Sequence, residues 1–308
     1  MTARKSQNKS TSRTQKAVAA QPQAKPHTAH PTVSGRWLLI ALAISLPAAA
    51  LCTWAVFCLL FWQGSWQLLY HPSSSVTRTP SSIGLSYDPV SFATTNAGVA
   101  QLQGWWIPAV RAKYTALYLH NEAGNLSDTV PALGELQKTG LNVLAFDYRG
   151  YGKSQFEHPS EASWRQDANW ALEYLTGTRH IDPHSIVIVG NGLGANLALE
   201  IAAGHPELAG VVLESPIFDP VSIIFNDARA RIVPARLLIH DRYDLEAPAA
   251  ALRIPSLWIW KDQSTAQDAS QKIQSAYEKV RDQKTRVTLS ADQGIEGPLE
   301  SWLASLPR

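Results

Sequence analysis

Residues 187–198 read Val-Ile-Val-Gly-Asn-Gly-Leu-Gly-Ala-Asn-Leu-Ala. An apolar strand runs into the turn Gly190-Asn191-Gly192-Leu193-Gly194, and a helix of small residues follows. This is the frame of a nucleophile elbow, in which a sharp strand-to-helix turn presents one side chain for attack on a carbonyl. The presenting position is Gly192, which has no side chain. Acyl transfer by this route needs a nucleophile, a base to take its proton, an acid to orient the base, and donors for the oxyanion. The motif is therefore present without its nucleophile.

Other residues with chemical potential point elsewhere or nowhere. Gly152-Lys153-Ser154 looks like the end of a phosphate-binding loop, but that motif requires a first glycine at position 147, which is Asp147. Nucleotide binding is not expected. His180 and His184 are four apart with Pro183 between them, which spoils a helical metal pair. No metal and no cofactor are expected.

The elements that must position the elbow follow from periodicity. From Thr115 onward, apolar runs alternate with helical segments. Strands are predicted at 116–120, 141–147, 185–190, 209–215, 256–260 and 286–289. Helices are predicted over 126–140, 160–175, 193–203 and 266–282, with a last short one ending near Leu306. Continuous apolar strands alternating with amphipathic helices mean a mostly parallel sheet covered by helices on both faces, an α/β fold. Residues 86–110 add early strands. The stretch 217–253 has a scattered pattern with three prolines and is predicted to be a small helical cap at the sheet's C-terminal edge.

The first third of the chain is different. Residues 1–36 hold seven Lys and Arg and no acid, with almost no large apolar side chain, which predicts a disordered basic tail. The remaining chain is mildly acidic, 20 basic against 25 acidic residues, so nucleic acid is not an expected partner. Trp37–Trp62 is an uncharged run of 26 residues, long enough to cross a bilayer, with Trp37, Trp62 and Trp66 at its ends where interfacial aromatics belong. We expect one transmembrane helix over 37–62 and a connector over 63–85. A folded domain follows over 86–308. A cleaved signal sequence is the rival reading, because Pro47-Ala48-Ala49-Ala50 ends the first half of the run. The basic residues before the run, against only Arg78 in the twenty after it, predict a cytoplasmic N-terminus and a folded domain on the extracytoplasmic, periplasmic side of the cell membrane. Cys52 and Cys58, the two cysteines, lie inside the apolar run, so the domain has no disulfide.

Four stretches in one order carry a family likeness: LYLHNEAGN (117–125), FDYRGYGKS (146–154), VGNGLGAN (189–196) and LESP (213–216). Together they resemble the α/β-hydrolase superfamily, and within it the membrane-anchored hydrolase-domain proteins related to lysophospholipases and acyl-protein thioesterases. The likeness runs from about Leu68 to the C-terminus, including the Tyr70-His71-Pro72 step after the anchor. It implies the α/β-hydrolase fold, with His120, Asp147, Arg149, Gly150, Gly152, Ser154, Gly190 and Gly194 as structural motif positions. It also implies where the triad should stand. The nucleophile position is Gly192. The acid position, counted from Pro255, is Ser264, with Trp260 and Lys261 replacing His-Gly and with Asp262 and Asp268 nearby. A base histidine should lie near 292–295, yet no histidine follows His240. In the oxyanion loop the family's H-G-N-A-G-N reads His120-Asn121-Glu122-Ala123-Gly124-Asn125, which puts Glu122 where a backbone N–H should face the developing oxyanion, with the N–H of Leu193 as the other implied donor. The triad is degenerate.

Two function classes follow. The first is a single-pass membrane protein whose hydrolase domain is a non-catalytic pseudoenzyme, binding a small apolar or acyl ligand or a protein partner. The second is an active esterase, lipase or thioesterase with a non-standard site.

Overall fold

A computed structural model of the protein describes residues 34–95, 97–261, 267–290 and 292–307. The predicted basic tail, residues 1–36, lies almost wholly outside the described residues. The chain divides into two units between Leu51 and Cys52. Helix α1, Gly35–Gly64, is uncharged after Arg36 and has a mean hydropathy of 2.1 over its most apolar window, none of it buried. At 1.5 Å per residue its 30 residues extend about 45 Å. It is long and apolar enough to cross a membrane.

The sheet has eight strands: β1 (Asp88–Thr94), β2 (Ala100–Ile107), β3 (Thr115–Leu119), β4 (Asn142–Asp147), β5 (Ile186–Asn191), β6 (Gly210–Glu214), β7 (Ser256–Lys261) and β8 (Lys284–Leu289). Their spatial order is β8-β7-β6-β5-β3-β4-β2-β1. The first two strands pair antiparallel and β2 joins β4 antiparallel; the pairings from β4 to β8 are parallel. The main helices are α2 (Leu126–Lys138), α3 (Glu161–Glu173) and α4 (Leu193–Gly204). The cap holds α5 (Pro220–Phe225), α6 (Ala235–Leu238) and α7 (Glu246–Ala251), and α8 (Gln267–Lys279) and α9 (Glu296–Ser305) close the chain.

Every residue of β3 and β6 is buried, because side chains alternate between two covered faces. Leu117, Leu119, Ile186, Ile188, Val211 and Leu213 pack on one face with Trp164 of α3 and Leu197 of α4. Tyr118, Val187, Val189 and Val212 pack on the other with Val130 of α2 and Trp302 of α9. Helix starts are set locally. Asn125 caps α2 by accepting from Ser127 N, while Asp128 reaches back to Asn125 N; Ser160 and Ser163 do the same for α3. Each such cap is worth about 1 kcal/mol.

The fold is that of an α/β hydrolase, with the elbow at the C-terminal end of β5 near the centre of the sheet.

Candidate functional site

The elbow is built by close approach of three backbones. A Cβ at Gly190 would strike Gly194 O and Ala195 Cα, and one at Gly194 would strike the carbonyls of Leu119 and His120. Only glycine lets β5, α4 and the end of β3 meet here. Gly192 sits at φ 57°, ψ −126°, a conformation that residues with side chains rarely adopt. Its N–H donates to Glu214 O at 3.1 Å, and its carbonyl accepts from Ala195 N to start α4. The turn is thus preserved in full around a missing side chain.

Glu122 closes the space above it. The backbone N–H of Leu193 donates to Glu122 Oε2 at 3.2 Å. Glu122 is held in turn by its own carbonyl, which accepts from His71 N at 2.9 Å and from the Tyr151 hydroxyl at 2.8 Å. A Cβ placed on Gly192 would lie 2.9 Å from Glu122 Oε2 and 3.0 Å from Asn121 Cβ. In an acyl-transfer enzyme, the Leu193 N–H would face the developing oxyanion. Here it already serves a carboxylate of the same chain.

The segment after α1 supports this loop. His71–Pro72 pairs in parallel with Ala123–Gly124. Asn125 Nδ2 donates to the carbonyls of Ser73 and Ser75. Behind the loop, His120, Tyr148, Tyr151 and Trp164 are fully buried, Tyr148 stacking on Trp164 with centroids 3.9 Å apart. Tyr70 and Tyr243 extend the cluster, and the Tyr70 hydroxyl donates to Asp241 Oδ2 at 3.0 Å. Burial pulls the His120 imidazole down to about 4, so it is neutral at pH 7. Its Nδ1–H bonds Asn121 O at 2.7 Å, and Nε2 lies 4.0 Å from Asp147 Oδ1. Burial also pushes the Asp147 carboxyl up to about 7, against the backbone N–H groups of Leu126 and Lys153 that favour its anion.

The stretch 147–154 forms scaffold. Arg149 Nε donates to Asp167 Oδ1 at 2.6 Å, Arg149 N to Asp167 Oδ2 at 2.8 Å, and its other nitrogens reach Glu157, Gln166 and Ser163 O. Burial raises the Asp167 carboxyl to about 6 despite that pairing. Gly150 and Gly152 turn the chain at positive φ. Ser154 donates to Asp147 O and accepts from Gln103 N, tying the loop to β2.

The acid position Ser264, with Asp262, lies outside the described residues. Asp268 falls in α8. At the expected base position, Asp292 is exposed and Ile295 is buried, its N–H held by Glu135 of α2 at 3.0 Å. Sequence reasoning missed one feature: Lys261 Nζ bridges to Glu214 Oε1 at 2.7 Å. Glu214 is the residue whose carbonyl accepts from Gly192 N, so this ion pair stands beside the elbow. A lysine replacing the glycine of the acid-strand motif, across the sheet from the glutamate of LESP, was the available signal. Among the described residues, no group of three or more His, Cys, Asp or Glu is placed to hold a metal ion.

Comparison with known proteins agrees with this architecture. The uncharacterized protein MT2364 of Mycobacterium tuberculosis is 30% identical over 226 residues, covering 73% of this chain and 76% of that protein. Escherichia coli K12 YfhR is 35% identical over 167 residues, 52% of this chain and 57% of YfhR. The esterase Pf2001 of Pyrococcus furiosus superposes with a TM-score of 0.60 at 20% identity, covering 77% of this chain and 98% of its own. The sequence model of the alpha/beta hydrolase family matches residues 116–308, the span that carries the elbow, its oxyanion loop and the parallel part of the sheet, and the chain belongs to that family.

Proposed function

We propose that this protein is a membrane-anchored hydrolase-fold protein that has given up serine-type hydrolysis and acts by binding. The observation that carries the reading is the pairing of the Leu193 N–H with the Glu122 carboxylate over a nucleophile position that is glycine. A second carboxylate or oxyanion at that N–H would meet Coulomb repulsion at a separation of about 3 Å, which at an effective dielectric near 20 is several kcal/mol. The lack of any histidine after His240 removes the base as well. Loss of nucleophile and base together leaves no path for proton removal and attack.

In this reading α1 is the anchor, with its N-terminus in the cytoplasm and the domain outside, and the bound partner is a small apolar or acyl ligand or another protein. The test is ester turnover by the full chain in detergent micelles, with short and medium acyl esters. The expected rate equals that of a mock purification. Turnover that follows the protein through orthogonal purification steps and saturates with substrate would overturn the proposal.

A further inference from the structure

The cap contains an arm, residues 228–238, that reads Ala-Arg-Ala-Arg-Ile-Val-Pro-Ala-Arg-Leu-Leu. Its Ala230, Val233 and Ala235 are buried, yet Ile232 and Leu237 are 64% and 80% exposed. Three arginines and no acid fall between 228 and 240. Asp227 holds Arg229 through Nε and Nη2, Arg236 lies over the Phe225 ring, and Arg231 and Arg236 are exposed. An arm of exposed aliphatic tips with flanking arginines has the composition of an interfacial membrane element.

Its position is tied to α1. The Trp54 indole N–H donates to Ile232 O at 3.1 Å. Trp54 precedes Gly64 by ten residues, about 15 Å along the helix axis. Between them, a cavity of about 290 Å³ is walled by Phe57, Leu60 and Phe61 on the helix side and by Ile232 and Val233 on the arm side, with Ser65, Gln67 and Arg229 adding polar groups to a mostly apolar lining. One wall of this cavity is therefore the uncharged anchor helix itself. Whatever surrounds α1 at the level of Trp54 also surrounds the arm.

We propose that the arm is a second membrane contact, seated in the leaflet that α1 enters, and that the cavity beneath it takes an acyl chain of a phospholipid. The exposed Arg231 and Arg236, on long flexible stems, reach toward anionic headgroup oxygens, while Arg229 stays paired with Asp227. The assignment rests on the reading of α1 as a membrane anchor. A free protein partner would find half of its site already claimed by lipid around Phe57 and Leu60.

The experiment uses the full chain with Cys52→Ala and Cys58→Ala, reconstituted in nanodiscs of phosphatidylcholine with phosphatidylglycerol. Single cysteines at Ile44, Ile232, Leu237 and Val110 carry an environment-sensitive fluorophore, and a doxyl-labelled phospholipid is the quencher. Val110, exposed in the loop between β2 and β3, is the aqueous control. Quenching at Ile232 and Leu237 several-fold above that at Val110, together with quenching at Ile44, is the expected result. Quenching at Ile44 alone would overturn the arm proposal and leave the anchor intact. No quenching at any position would overturn both. A phospholipid with a photoreactive acyl chain should crosslink within 57–61 or 232–233; adducts confined to the first half of α1 would refute the cavity assignment.

Discussion

A serine at position 192 would carry its Cβ to 2.9 Å from Glu122 Oε2 at a backbone φ of 57°. We therefore expect Gly192→Ser to gain no ester turnover and to lose roughly 1–3 kcal/mol of stability, read from paired denaturant melts and an ester assay. A Ser variant that is as stable as the parent and turns over substrate would mean a base stands near the elbow. The buried titratable groups allow a pH test. His120 has an ordinary value of 6.5 and is held at about 4, so the unfolded chain takes up a proton that the folded one refuses. Its contribution to stability is whole above pH 6.5 and is lost as pH falls toward 4. Asp147 and Asp167, raised to about 7 and about 6 from 3.8, run the other way: their contribution is fullest below pH 3.8 and is lost as pH rises through 6 to 7. Their opposing slopes blur in the parent chain. The difference between parent and His120→Asn isolates one group, and the variant's deficit should shrink by up to about 3 kcal/mol between pH 6.5 and 4. A deficit independent of pH would mean that His120 binds its proton as readily in the folded chain as in the unfolded one. At this scale the sequence was informative about absences. Gly192 and the missing histidine were legible because they are identities, whereas the Glu122–Leu193 bond and the Lys261–Glu214 pair depend on which loops and strand ends meet.

Elements reward periodicity unevenly. The helices around Trp164 and Leu197 and the parallel strands were legible because each repeats its own local rule, and Asn125 and Ser160 mark helix starts. The His71–Pro72 bridge to Ala123–Gly124 was not, because two residues hold no period and their partners lie fifty residues away. The turn after β4 leans on one side chain. Arg149 is nearly buried and engages Asp167, Glu157 and Gln166 at once. Arg149→Leu should cost about 3–5 kcal/mol, since it strands the buried Asp167 carboxylate; Arg149→Leu with Asp167→Leu should recover part of that loss. A cost below 1 kcal/mol in the single variant would show that the cluster is dispensable. Helix α1 allows a separate test of topology. Alkaline phosphatase fused after residue 72 should be active in a bacterial host, and a cytoplasmic reporter at the same point should not; the reverse pattern would invert the orientation.

At the scale of the whole molecule, a hydrolase-fold sheet supports an elbow whose apex is empty and whose remaining donor is engaged by Glu122. The fold alone assigns no activity, since a scaffold of this kind hosts unrelated activities and function has to be argued from the site. The most direct measurement of the central claim is reaction of the full chain in detergent micelles with a fluorophosphonate, followed by intact-mass and peptide mass spectrometry. The account predicts an unchanged mass under conditions that label a serine hydrolase stoichiometrically. A stoichiometric adduct mapped to one residue of the domain, with ester turnover lost on its replacement, would contradict it.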